Sequence, residues 1–168
     1  SSAICEKIEI VNHTKYDAQL VSNEDVLAAI SIVEKPVEER PMNQIDTRSI
    51  EQGVVNLPYI KSATAYKTID NKVVVELKER RLIARLIDEN GVSAFLDSEG
   101  YVLPRRREVK LRLPVVTGEF KLNSEQLSAG YSSKGNNLLE AMYRYANLID
   151  KSDFWKAQLQ QTYLDRKT

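Results

Sequence analysis

Between residues 60 and 103 the sequence reverses direction three times: at Asp70-Asn71, at Asp88-Glu89-Asn90-Gly91 and at Asp97-Ser98-Glu99-Gly100. Asn and Gly accept the left-handed backbone of tight turns, and Asp and Ser side chains satisfy turn N–H groups. The pieces between the turns are strand-length: residues 60–69, 72–80, 82–87, 92–96 and 101–103. In the second of them Val73, Val75 and Leu77 share one face, with Val74, Glu76 and Lys78 on the other, so one side can rest on helices and the other meet solvent. A middle committed to hairpins leaves the helices to the flanks.

The N-terminal flank supplies two. Residues 6–11 read as a short strand, and Ser22 with Asp25 forms a capping box ahead of Val26, Leu27, Ile30 and Val33, which predicts a helix over about 23–33. Pro36 and Pro41 make residues 35–44 a surface linker. Asp46 is the N-cap of a second helix, Ile45 can staple against Ile50, and Ile50, Val54 and Leu57 stack on one face until Pro58 stops it. On the C-terminal flank, residues 109–113 alternate with Lys110 and Arg112 outward, and residues 114–118 form a compact apolar crossing. A polar stretch over 123–137 leads into a third helix marked by Leu138, Met142, Tyr145 and Ile149. Residues 152–168 fit strand or helix. The fold class is therefore α+β: a β-α-α-β-β domain over 1–81, then a β-rich domain with a C-terminal helix over 82–168.

Composition narrows the chemistry. The 168 residues carry 24 Lys plus Arg against 24 Asp plus Glu, so no net field draws in a polyanion and nucleic acid is not an expected partner. With one cysteine, Cys5, and one histidine, His13, neither an internal disulfide nor a His/Cys metal cluster can form, and no cofactor fingerprint is present. No apolar run is long enough to span a membrane. The chain starts Ser1-Ser2-Ala3 without a methionine, so an upstream segment is expected to have been removed. His13 has no nucleophile motif around it and reads as a surface residue. Asp88, Glu89, Asp97 and Glu99 could pair for acid–base work in a hydrolase, but acidic residues in turns ordinarily bind backbone donors. Arg105, Arg106, Arg107, Lys110 and Arg112 lack the interleaved aromatics of a single-strand binder and read as a solvated connection. Tyr143, Tyr145, Phe154 and Trp155 could anchor a partner, although helical spacing favours core packing. No catalytic constellation emerges.

The order strand, helix, helix, strand, strand, with the phrase Asn56-Leu57-Pro58-Tyr59-Ile60-Lys61-Ser62-Ala63, resembles a POTRA domain. The arm Val73-Val74-Val75-Glu76-Leu77-Lys78-Glu79-Arg80 running into Ile83-Ala84-Arg85 strengthens the match. Further on, Phe95-Leu96-Asp97-Ser98-Glu99-Gly100-Tyr101-Val102-Leu103-Pro104 and Leu113-Pro114-Val115-Val116-Thr117-Gly118 resemble the FtsQ/DivIB family of bacterial cell-division proteins, its Bacteroidetes-type versions in particular. The resemblance covers about residues 6–163. It implies a single-pass inner-membrane protein with this segment in the periplasm, anchored by an N-terminal helix absent here. It further implies a non-catalytic role: binding FtsB/FtsL-like coiled coils and linking them to septal peptidoglycan synthesis. The family usually continues through further strands, so the β domain is expected to be truncated at its C-terminal end.

An exposed strand offers unpaired backbone groups to an incoming chain, so the expected partner sites are sheet edges. In the first domain the edge is residues 60–69, with Lys61, Thr64, Tyr66 and Thr68 as contact residues and a proline at Thr64 expected to spoil it. In the second it is residues 157–163, with Ala157, Leu159 and Tyr163. The alternatives are a periplasmic POTRA module of an outer-membrane assembly or secretion protein, and a hydrolase built on the turn carboxylates.

Overall fold

The structure is a computed structural model and describes residues 3–15, 19–34, 36–152 and 161–164, the last stretch by its backbone. The chain divides into two units, Ser1–Glu79 and Arg80–Thr168. Arg80 and Arg81, placed with the first domain by the sequence reading, bind carboxylates of the second unit: Arg80 Nη1 is 3.0 Å from Asp97 Oδ2, and Arg81 grips Asp150 through both nitrogens at 2.9 and 2.5 Å.

The first unit runs β1 (Lys7–Asn12), α1 (Asn23–Val33), a 3-10 turn (Met42–Gln44), α2 (Thr47–Val55), β2 (Ile60–Lys67) and β3 (Lys72–Glu79). Ser22 and Asp25 close the capping box on α1, and the Asp46 carboxylate accepts from the Arg48 and Ser49 N–H groups at the start of α2. The β2–β3 hairpin turns at Asn71, whose φ of 63 is the left-handed conformation that Asn tolerates. β3 lies in the middle of the sheet, parallel to β1 and antiparallel to β2. Its Val73, Val75 and Leu77 are buried, as are Val26 and Ile30 of α1 and Ile50 and Val54 of α2.

The stretch read as a surface linker is tied into the fold. Cys5 N–H donates to Arg40 O at 2.8 Å, Glu39 N–H to Cys5 O at 2.9 Å and Met42 N–H to Ala3 O at 2.8 Å, while Val37 and Met42 are buried. Prolines that exclude a helix do not exclude extended pairing, and Pro41 itself bridges Ile4.

The second unit contains β4 (Leu82–Ile87), β5 (Ser93–Asp97), β6 (Tyr101–Pro104), β7 (Val115–Gly118), a short α3 (Ser124–Leu127), β8 (Tyr131–Ser132), α4 (Asn137–Asp150) and β9 (Gln161–Leu164), with sheet order β8-β6-β5-β4-β7-β9. The apolar face of α4, including Leu139, Met142 and Ala146, joins Ile83, Leu86, Leu96, Val102 and Val116 in one core. Two expectations are corrected. The strand lies at Val115–Gly118, not over 109–113: Pro114 has no N–H to extend a ladder, but its carbonyl accepts the Arg85 N–H at 2.9 Å and launches the parallel pairing of β7 with β4. The polar stretch over 123–137 holds α3 and β8, the latter paired with β6.

Gly53 marks the closest approach of α1 and α2. A Cβ there would stand 2.5 Å from Val33 Cγ2 and 3.1 Å from the Ala29 carbonyl oxygen. Gly53→Ala gains about 1 kcal/mol of helix propensity but overpacks this contact at a cost of about 1–3 kcal/mol. The expected outcome is a lower urea midpoint for the first unit; a raised midpoint would show that the helices separate freely.

Candidate partner-binding edges

β2 is an edge strand of its sheet, and the hydrogen-bond parity fixes which residues serve that edge. Thr68 N–H donates to Lys72 O at 2.9 Å, so even-numbered positions of β2 turn their backbone groups toward β3. The Ala65 N–H points the other way and donates to Glu51 Oε2 of α2 at 3.0 Å. On the β1 side, His13 N–H donates to Leu77 O at 2.9 Å, which gives the odd positions of β3 to β1 and agrees with this alternation. The outward backbone groups are therefore those of Ala63, Ala65 and Lys67.

This relocates the expected contact residues. Thr64 and Tyr66, in register with Glu76 and Val74, spend their backbone on β3 and offer only side chains on the open face of the sheet. A proline at Thr64 would break the internal ladder, not the edge. Tyr66 is 42% exposed, its hydroxyl 3.4 Å from Glu76 Oε1; burial and the Glu76 charge push its phenol pKa upward. Thr68 closes the hairpin: its hydroxyl donates to Asp70 Oδ1 at 2.5 Å and accepts the Lys72 N–H at 3.0 Å. Lys61 stands at the bulge between Ile60 and Ser62 and lines a shallow groove of about 500 Å³ with His13, Thr14, Lys15, Lys78 and Glu79.

In the second unit β9 is the terminal strand, paired in parallel with β7. Tyr163 lies in it, in register with Thr117. Ala157 and Leu159 lie outside the described residues, as do Phe154 and Trp155. Tyr143 of the same aromatic group packs against the core, and its hydroxyl donates to Ser98 O at 2.8 Å.

Of the turn carboxylates, Asp88 and Asp97 are spent on backbone, whereas Glu89 lies 3.8 Å from Lys121 Nζ and Glu99 3.9 Å from Arg80 Nη1. Asp88 Oδ1 accepts from Asn90 and Val92 N–H, both at 2.9 Å, and its Oδ2 from Leu122 N–H at 3.0 Å. Asp97, 1% exposed, accepts from Glu99 N–H at 2.9 Å, Tyr101 N–H at 2.7 Å and Arg80, which also lies over the Tyr101 ring. Burial nevertheless raises the Asp97 pKa above the ordinary carboxylate range, outweighing those donors. Glu79, equally buried, takes the Leu20 and Val21 N–H groups and the Asn12 side-chain amide at 3.1–3.2 Å. His13 is half exposed, 3.4 Å from Glu76. Burial raises the pKa of the Cys5 thiol, which donates to Lys7 O, so its nucleophilic thiolate is disfavoured. Among the described residues no group of acidic, His and Cys side chains could hold a metal, and no helix is long and apolar enough to cross a membrane.

Two features escaped the sequence reading. A mostly apolar groove of about 280 Å³ runs between β1 and α1, lined by Ile8, Leu27, Ile30, Pro36 and Val37 among others. Its signal was present in Leu27, an apolar residue of α1 that is 42% exposed and lines the groove. The Glu51–Ala65 bond had no signal, because Glu51 looks like any solvated helix glutamate until β2 is laid beside it.

The chain is thus a β-α-α-β-β unit followed by a β-rich unit that packs the helix α4 against its sheet. A POTRA-like domain family model matches residues 3–78, and the family model described as FtsQ/DivIB, C-terminal related, matches residues 82–168, over half of the chain. The chain belongs to the FtsQ/DivIB family. It is similar to the cell division protein DivIB of Clostridium tetani (strain Massachusetts / E88), 26% identical over 109 residues that make up 65% of this chain and 41% of that relative. The match thus spans less than half of that relative's length.

Asp88 and Asp97 give separable outcomes in urea unfolding. Asp88→Ala strands three N–H donors and is expected to destabilise the second unit by about 2–4 kcal/mol. For Asp97 the folded state holds its proton more tightly than the unfolded chain does, so ionisation works against the fold. Its contribution to stability falls as pH rises from about 4 through the raised value. Asp97→Asn is expected to flatten that slope; an unchanged slope would place the pH dependence on another group.

Proposed function

We propose that this cell-division protein is a non-catalytic scaffold, working outside the cytoplasm, that holds segments of other division proteins along the edges of its two sheets. FtsB/FtsL-like coiled coils are the partners of the second unit, and through them the scaffold is linked to septal peptidoglycan synthesis. The full-length protein is held in the inner membrane by a single N-terminal helix, with this segment in the periplasm. The observation that supports the reading is that, among the described residues, β2 and β9 are the outermost strands at one end of their sheets, while Asp88 and Asp97 are bound to backbone donors. Strand addition draws affinity from main-chain hydrogen bonds and specificity from alternate side chains, so it requires no reactive pocket. Family membership and the DivIB relative support the setting; the edges support the mode.

Binding of the purified FtsB/FtsL-type complex, measured by calorimetry, tests this. Removal of residues 161–168 is expected to weaken binding at least about tenfold, roughly one good hydrogen-bonded strand contact's worth, with the melting of the first unit unchanged. Ala65→Pro, which removes an edge N–H without touching the β2–β3 ladder, reports on the first edge. Undiminished binding in both variants would overturn the scaffold-by-edge reading.

A further inference from the structure

Ala65 carries the central N–H of the three that β2 turns outward, and that group is taken by a carboxylate from another element. Glu51 follows Ile50, which is fully buried in the core, and it is half-buried itself. Its side chain therefore reaches round the rim of the sheet instead of extending into solvent. Nothing in the stability of α2 requires this: the helix is capped by Asp46 at its start, and its buried face is Ile50, Gly53 and Val54.

The rest of the edge is well suited to pairing with itself. With a two-fold axis through Ala65, antiparallel pairing sets Ala65 opposite Ala65, Ala63 opposite Lys67, Thr64 opposite Tyr66, Ser62 opposite Thr68 and Lys61 opposite Ile69. No ammonium faces an ammonium, and the residues nearest the axis are small or hydroxylated. Such an isologous contact closes on itself and needs no other chain. The one discordant group is Glu51. Both copies of its carboxylate would crowd the point where the two Ala65 residues, about 5.5 Å apart between Cα atoms, exchange hydrogen bonds. Like charges brought together there repel, and each also occupies the donor its neighbour needs.

We propose that Glu51 guards β2 against pairing with a second copy of this chain, by holding the Ala65 N–H and by placing a negative charge on the two-fold axis of a register in which no lysine opposes another. Native proteins blunt edge strands with charges for the same physical reason. The inference goes beyond the scaffold reading and stands without it, because its test uses this chain alone.

The experiment is sedimentation equilibrium of the full 168-residue chain over a range of concentrations, with amide exchange at Ala65 read in dilute solution. Glu51→Ala is expected to strengthen self-association about tenfold or more over the unsubstituted chain and to speed exchange of the Ala65 amide in the monomer. Glu51→Gln, which keeps an oxygen acceptor but loses the charge, is expected to fall between the two, and it carries the test should the alanine variant melt too low. Adding Ala65→Pro to Glu51→Ala is expected to return the protein to the monomer. The proposal is overturned if neither Glu51 variant associates more strongly than the unsubstituted chain, or if the doubly substituted protein still associates as the Glu51→Ala variant does.

Discussion

Each sheet has a strand flanked on both sides and strands that are not, and this difference sets what the molecule can do. β3 lies between β1 and β2, and β4 between β5 and β7, so their peptide groups have neighbours in both directions and their side chains supply much of the two cores. A buried peptide group without a partner is costly, so the central strands anchor the fold. The outermost strands cannot be satisfied in the same way. β1 receives help at its N-terminal end from the segment around Arg40, and β6 is covered only by the two residues of β8. β2 and β9 are the outermost strands at the other ends of the two sheets.

The acidic residues complete this division of labour. Asp88 and Asp97 sit at corresponding places in successive turns and repeat one device, an oxygen that takes the N–H groups two and four residues ahead. Asp88 also reaches Leu122, and Glu79 collects donors from the segment before α1, so both carboxylates join pieces of chain that are remote in sequence. The lone pairs of these carboxylates are engaged by fixed donors and are not presented to an incoming substrate. Asp88 and Asp97 are thereby engaged in holding their turns.

What was legible in the sequence is what is decided locally. Ser22 and Asp25 bond to each other's backbone three residues apart, and Asn71 needs only its own φ, so α1 and the first hairpin could be read from short windows. The unread parts depend on partners far along the chain. β7 exists because β4 lies beside it, and the apolar crossing over 114–118 carries no alternation to announce it. The sequence reading named Lys61, Thr64, Tyr66 and Thr68 for the edge of the first sheet, whereas the register turns the backbone of Ala63, Ala65 and Lys67 outward. Thr64 and Ala65 are neighbours with similar claims in the sequence, and only the register with Glu76 and Val75 decides which faces inward. A one-residue difference reverses the answer because strand periodicity is two.

That parity also shapes how the first edge can discriminate. Its outward backbone belongs to Ala63, Ala65 and Lys67, and the two alanines offer little for an incoming side chain to grip. Under the proposed strand addition, recognition comes from the flanking polar residues Ser62, Thr64 and Tyr66 on the open face, and from Glu51 on the helical side, which a competing strand has to displace. A plain edge is promiscuous, because backbone hydrogen bonds are the same for every sequence. An edge whose middle donor is already bonded accepts only a strand whose other contacts outweigh that bond. Selectivity on such a surface therefore comes from what the edge withholds as much as from what it presents.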